Sequence, residues 1–207
     1  MAVIFKKFAE ENDQPLEFEF TEVNKKKALE VQKNYPHGYK ESSIMPLLTL
    51  AQEQCGGWLP KKSIEYVANF LEVSEMRVLE LATFYSMYNL SPIGKYHIEV
   101  CTTTPCMLRG AEDIVNICKR KLNLEVGEIS EKNLFSLVEV ECLGACVNAP
   151  VAKIGDHYYE DLNEENFEKI IENITNNKKI HKGSQILRKG SEPYKDKKAS
   201  NLMGKND

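Results

Sequence analysis

Four of the six cysteines stand in two close pairs, Cys101 with Cys106 in "CTTTPC" and Cys142 with Cys146 in "CLGAC". No other feature restricts the fold as much, because thiols paired in this way belong on two loops that meet. The flanking patterns say what the loops connect. "KYHIEV" alternates Tyr96, Ile98 and Val100 against Lys95, His97 and Glu99, the period of a strand with one buried face. Pro105 then precedes a helical stripe of Leu108, Ala111, Val115, Cys118 and Leu122. "LFSLVEVE" reads as a second strand, and "VAKI" and "HYYE" flank Gly155 and Asp156, a turn pair suited to a hairpin. In "NEENFEKIIENI", Phe167, Ile170, Ile171 and Ile174 share one side of a closing helix.

Strand, helix, strand, hairpin and terminal helix make the core of a thioredoxin-like layer, with the direction of the strand at Leu134 left open by periodicity. Upstream of Pro92 and Gly94 the period is helical. "TEVNKKKALEVQKNY" ends at Pro36. "SSIMPLLTLAQEQCGGW" opens with Ser42 and Ser43 as candidate caps and stops at Gly56 and Gly57. "PKKSIEYVANFLEV" repeats Ile64, Val67, Ala68 and Leu71, and Ser74 can cap a further helix. The expected fold class is α/β: a helical bundle over 1–92, a thioredoxin-like domain over 93–175 and a basic extended arm over 176–207.

Net charge is −4, but from Thr175 onward nine Lys or Arg face three acids, a net +6 that leaves −10 on residues 1–174. The basic segment is poor in large apolar residues and should not pack a core of its own. It reads either as a solvated end or as an arm that orders along a partner protein. In the second reading, truncation after Thr175 leaves the thiol centre unchanged and weakens association. Nucleic-acid binding is disfavoured, because no aromatic interleaving or helical basic face accompanies the charge. No window approaches the roughly 18 apolar residues of a membrane span, and "MAVIFKKFAEENDQ" lacks the apolar run of a signal peptide and carries acids that transit peptides avoid. A cytoplasmic chain without direct membrane insertion is expected, in which cysteines serve as metal ligands or redox groups.

Cys101 falls at a strand end and Cys106 at a helix start, where backbone amides and the helix N-terminus should favour thiolate. Gly144 lets the second loop fold back so that Cys142 and Cys146 face one point. Zinc knuckles prefer Cys-x2-Cys around one tetrahedral ion, and a dithiol enzyme wants the same spacing at its helix start. Gaps of four and three suit a larger object in which each pair grips a different metal, as in a [2Fe-2S] rhomb. Spacing therefore favours an iron–sulfur cluster over zinc, dithiol chemistry or structural thiols. Cys55 and Cys118 stand alone and read as packing residues. His97 and His157 read as surface residues, and no histidine pair at ligand spacing supports a Rieske centre.

"VCTTTPCMLRGAEDI", "VEVECLGACVNAPVAKIGDHYYEDL", "SEMRVLELATFYSMYNLSPIGKYHIEVC" and "CGGWLP" together resemble the thioredoxin-like [2Fe-2S] ferredoxin subunit of respiratory complex I, the proton-pumping NADH:quinone oxidoreductase. The resemblance runs over about residues 15–193 and is strongest to the form shared by mitochondria and alphaproteobacteria. It implies one [2Fe-2S] cluster per chain, held by Cys101, Cys106, Cys142 and Cys146, which match the family pattern without departure. It also implies a partner, the flavin-bearing subunit that oxidises NADH, on the cytoplasmic face of a bacterial inner membrane or the matrix side of a mitochondrial one. NADH and FMN then belong to that partner, since "GGWLP" and "GDHYYE" do not follow the strand-to-helix logic of a dinucleotide fingerprint. Electron transfer requires no acid, base or nucleophile, so no catalytic residue is expected, and this chain alone holds no complete active site. Relatives of the module in NAD-linked hydrogenases and formate dehydrogenases leave an equivalent role open, as the fold leaves thiol–disulfide exchange or a zinc-stapled adaptor. With Glu99, Glu139 and Glu141 near the ligands, a reduction potential of about −400 mV is expected, in the manner of plant-type ferredoxins.

Overall fold

Helices and strands segregate along the chain as their periods require in the computed structural model, which describes residues 7–193. The chain divides into two compact units, Met1–Ile93 and Gly94–Asp207. The first carries α1 (Glu22–Gln32), α2 (Ile44–Gln54), α3 (Lys61–Leu71) and α4 (Glu75–Phe84). Ile44, Leu47, Leu48 and Ala51 of α2 pack in one buried cluster with Ile64, Val67, Ala68 and Leu71 of α3 and Val78 and Ala82 of α4. These are the residues that the helical period marks. The glycine pair is a helix stop: Gly57 N–H donates to Gln52 O at 2.8 Å and Gly56 N–H to Glu53 O at 3.3 Å, with Gly56 at φ 73. That bond pair is a Schellman closure, which demands a left-handed residue after the helix.

Two expected caps are absent. The buried Ser43 lies in a short 3-10 turn, Lys40–Ser43, and its hydroxyl donates backward to Lys40 O at 2.7 Å, so the turn's own carbonyl outcompetes the α2 amides. Ser74 occupies the start of α4 without a side-chain bond to it. Thr21 does cap α1, its hydroxyl accepting from the Asn24 amide at 3.2 Å.

The second unit runs β1 (Tyr96–Cys101), α5 (Thr104–Leu108), α6 (Ala111–Leu122), β2 (Phe135–Val140), β3 (Ala152–Ile154), β4 (His157–Glu160), α7 (Glu164–Thr175) and β5 (Gly183–Ser184). The sheet order is β2-β1-β3-β4-β5. β2 lies parallel to β1, which settles the direction left open at Leu134; parallel pairing needs a long crossover, and α6 supplies it. β3 and β4 form the antiparallel hairpin expected around Gly155 and Asp156. Ile98, Val100, Phe135, Leu137 and Ile154 from the sheet meet Ile114, Val115, Ile117 and Cys118 of α6 and Phe167, Ile170, Ile171 and Ile174 of α7 in one core. A reciprocal cap starts α7: Asn163 Oδ1 accepts from Asn166 N, and Asn166 Oδ1 from Asn163 N, each at 2.9 Å.

Three local readings change. The single helix expected after Pro105 is two, broken at Gly110 with φ 95, so Leu108 leaves the apolar stripe and is 76% exposed. His97 is buried rather than on the surface. Parallel pairing sets it opposite Ser136, whose hydroxyl lies 2.7 Å from His97 Nδ1 and accepts from Gly94 N–H at 2.9 Å. Alternation misplaced it because its enclosure comes from the neighbouring strand and from the chain entering β1, which the period of its own strand does not reveal. The third change concerns the basic segment. Up to Glu192 it returns onto its own sheet, β5 pairing parallel with β4 and Ser184 buried. Its polar side chains replace the apolar ones that such packing ordinarily needs, since Asp161 receives both Ser184 and Arg188. The rest of the expected arm, from residue 194 on, lies outside the described residues.

Candidate metal centre

Parallel strands end together, and that places the thiols. Cys101 is the last residue of β1 and pairs with Val140, the last of β2, so the loop carrying Cys142 leaves the sheet beside the loop carrying Cys106. Cys101 and Cys106 are each 1% exposed, whereas Cys142 and Cys146 face solvent. The exposed pair is close, with sulfurs 3.3 Å apart. Gly144, at φ 83, turns the chain so that its own N–H donates to Cys142 Sγ at 3.4 Å. Across the loops, the Leu143 amide lowers the proton affinity of Cys101 and the Val151 amide that of Cys106, and the two buried thiols act on each other. The charge of Cys146 is felt at Cys106, and that of Cys101 at Cys146. The two thiol pairs thus lie on neighbouring loops, near enough for their charges to act on one another.

Their proton affinities diverge. Burial pushes Cys101 up, but the Thr103 hydroxyl, 3.2 Å from its sulfur, the amides of Leu143 and Thr103 and the Cys106 thiol outweigh it and leave Cys101 below the ordinary thiol value. Cys106 goes the other way, to about 12, through burial and its bond to Cys101. The expected help from a helix start does not prevail there over burial and the neighbouring Cys101. Cys146 is raised, first by its bond to Cys142 and then by burial and neighbouring thiolate charge. Thiols that raise one another's proton affinity compete for protons when alone and share positive charge when a metal is present.

The donor set suits an iron–sulfur rhomb. Cys101 and Cys106 lie in a bed of apolar residues, Ala111, Ala149 and Val151, with Leu143 and Ala145 against it, while Cys142 and Cys146 are exposed. The Gly144 amide donates to the Cys142 sulfur, and the amides of Leu143, Thr103 and Val151 favour thiolate at Cys101 and Cys106. Among the described residues no group of three or more His, Cys, Asp or Glu is arranged around a single metal ion.

Comparison with known proteins agrees with this geometry. Residues 28–175 match the thioredoxin-like [2Fe-2S] ferredoxin family. The chain belongs to that family. A NADH-quinone oxidoreductase subunit of Rickettsia felis is 57% identical over 159 residues, 77% of this chain and 95% of that protein. The mitochondrial NADH dehydrogenase [ubiquinone] flavoprotein 2 of Dictyostelium discoideum is 44% identical over 183 residues, 88% of this chain and 74% of its own length. Among solved structures, an NAD+-reducing [NiFe]-hydrogenase in the air-oxidized state superposes with a TM-score of 0.54 at 18% identity. That match covers 63% of this chain and 23% of the hydrogenase chain, and it speaks to fold alone.

The remaining expectations for this ferredoxin sort by burial. Cys118 is fully buried in the core, its thiol pushed up to about 12 by desolvation, and the half-buried Cys55 is pushed to about 11 by the same cause. His157 is exposed, with Lys182 Nζ beside its Nε2. Glu99 is largely neutralised by Lys153 at 2.6 Å, which weakens its expected pull on the potential. Among the described residues no helix is long and apolar enough to cross a membrane. Sequence reasoning missed Thr103, which the threonine run beside Cys101 could have suggested, and it missed the amides of Leu143 and Val151, which no side-chain pattern reveals.

Proposed function

We propose that this ferredoxin is the [2Fe-2S] electron-transfer subunit of an NADH-quinone oxidoreductase, with Cys101, Cys106, Cys142 and Cys146 as the ligands of one cluster. The observation that carries the reading is the placement of two thiol pairs on neighbouring loops at the ends of two parallel strands, with backbone amides acting on their sulfurs. When bound, the group supplies a one-electron store whose net charge with four thiolates passes from −2 to −3. The chain's part is to bind and to tune. Cys101 and Cys106 keep one side of the centre dry, the Thr103 hydroxyl and the amides of Leu143, Gly144 and Val151 favour added negative charge, and Cys142 and Cys146 bring the other side to the surface where electrons enter or leave. The proposed donor is a separate flavin- and NADH-binding subunit, as the relatives named as subunits of NADH-quinone oxidoreductase suggest.

Metal and acid-labile sulfide analysis of anaerobically purified protein tests the reading. About two irons and two sulfides per chain are expected. One zinc without sulfide would overturn it, and copurification with hydrogenase subunits instead of a quinone-linked flavoprotein would move the chain to the equivalent place in another enzyme.

A further inference from the structure

Away from the thiols, an enclosed polar cluster of the second unit lies where the C-terminal segment meets the end of β4. Asp161 follows β4 in the left-handed region, at φ 54. Its side chain is 5% exposed and that of Arg188 9%. Asp161 Oδ1 accepts from Arg188 Nη2 at 2.6 Å and Oδ2 from Ser184 Oγ at 2.7 Å. Arg188 Nη1 donates to Glu192 O at 3.2 Å within its own segment, and other bonds of the cluster reach the second cysteine loop. Arg188 Nη1 donates to Val147 O at 3.4 Å, and Asp161 N–H donates to Asn148 O at 2.7 Å. Asn148 Nδ2 in turn donates to Glu160 Oε2 at 2.6 Å and to Gly190 O at 2.8 Å. Val147 and Asn148 are the two residues that follow Cys146 in one short 3-10 turn.

A buried ion pair is a poor device for stability, because desolvation consumes most of what the charges gain, and apolar residues of the same size do as well. Its strength is specificity: two charges that tolerate only one arrangement fix whatever else they touch. Here they touch the backbone of the turn that begins with an exposed cysteine. We propose that Asp161 and Arg188 are positioning residues for Cys146, and that residues 183–190 form a clasp that holds the second cysteine loop in its ligating shape. The inference rests on the ligand assignment above. It reverses one expectation from sequence: truncation after Thr175 removes the clasp, so it alters the centre itself.

The test uses the full chain, purified anaerobically, with Arg188→Met, Asp161→Asn, the double variant, Arg188→Lys and a core truncation away from the clasp, Ile171→Val. Three signals are read per bound cluster: the visible circular dichroism, the resonance spectrum of the reduced state and the rate of iron release to a ferrous chelator. Both single variants should release iron about tenfold faster or more, the loss typical when the partners behind a metal ligand are removed, with altered spectra. Arg188→Lys, which keeps the charge and loses the fork, should fall between, and Ile171→Val should keep the wild-type spectra. The double variant separates the two roles: folding stability returns as both charges leave together, while the spectra stay altered. Wild-type spectra and release rates in the single variants, or their restoration in the double variant, would overturn the clasp. If Arg188→Met does not fold, Arg188→Lys carries the same decision. If the wild-type chain itself holds no cluster, the ligand assignment fails, and the clasp is then decided by alkylation mapping: an unchanged ratio of Cys146 to Cys142 labelling in Arg188→Lys would overturn it, and an altered ratio would support it.

Discussion

Gly94→Ala is the substitution whose cost the structure fixes most directly. A Cβ at Gly94 would stand 2.4 Å from the carbonyl carbon of Phe135, 2.7 Å from its oxygen and 2.7 Å from Ser136 N. Ordinary carbon contacts lie at about 3.5–4.0 Å, so the chain entering β1 must move about 1 Å away from β2. Every atom in the way is backbone, so no rotamer change relieves the contact. Overpacking of this kind costs about 1–3 kcal/mol. Displacement also breaks the 2.9 Å bond from Gly94 N–H to Ser136 Oγ, worth about 1 kcal/mol net. A total of about 2–4 kcal/mol should lower the thermal midpoint of the second unit by about 8–32 °C, since 1 kcal/mol is worth about 4–8 °C in a domain of this order. Urea and thermal unfolding of the metal-free chain, followed by far-ultraviolet circular dichroism, measure it. An unfolding free energy within about 0.5 kcal/mol of wild type, the scatter of an ordinary surface change, would refute the close approach of the two strands and the register His97 to Ser136 built on it.

Alanine at any one of Cys101, Cys106, Cys142 or Cys146 should abolish the visible spectrum and the bound iron, whereas Cys118→Ala should keep both and lower stability by about 1 kcal/mol through lost packing; a Cys118 variant without cluster beside a Cys142 variant with it would reverse the assignment. His97 is held below its ordinary 6.5 chiefly by burial, so the folded state takes up fewer protons than the unfolded. The neutral form's contribution is complete above about pH 6.5 and is lost as the pH falls toward the folded value, so urea midpoints of the metal-free chain should decline between about pH 7.5 and 5.5 and do so less in His97→Gln. An equal decline in both proteins would assign that limb to other groups.

What could be read from sequence was whatever repeats with a local period. Tyr96, Ile98 and Val100 declared β1, and Phe167, Ile170, Ile171 and Ile174 declared α7, because each set shares one face of its own element. The thiol pairs were legible for a different reason: each proposed ligand lies within five residues of its mate, so spacing alone limits what it could hold. Legibility ended where a position depends on distant chain. The direction of β2 is set by the crossover, and the burial of His97 by its opposite number Ser136. The ion pair from Asp161 to Arg188 joins residues with no common period, so the segment that carries it read as a loose polar end. Gly110 was visible as a residue, but its φ of 95 is fixed by the turn between two short helices that a continuous stripe had merged.

The uneven exposure of the two thiol pairs also imposes an order on assembly. Iron and sulfide delivered from solution meet Cys142 and Cys146 first, with no part of the fold displaced, while Cys101 and Cys106 lie beneath them and are reached last. The final step is also the one that must expel the most reluctant proton, because Cys106 is held at about 12 until a metal replaces it. Before that step the chain is exposed to oxidants in a specific way. Two surface sulfurs 3.3 Å apart need only small motion to form a disulfide, which would shut the entrance to the deeper pair. On the proposed ligand set, loading under reducing conditions is expected to engage the outer pair before the inner.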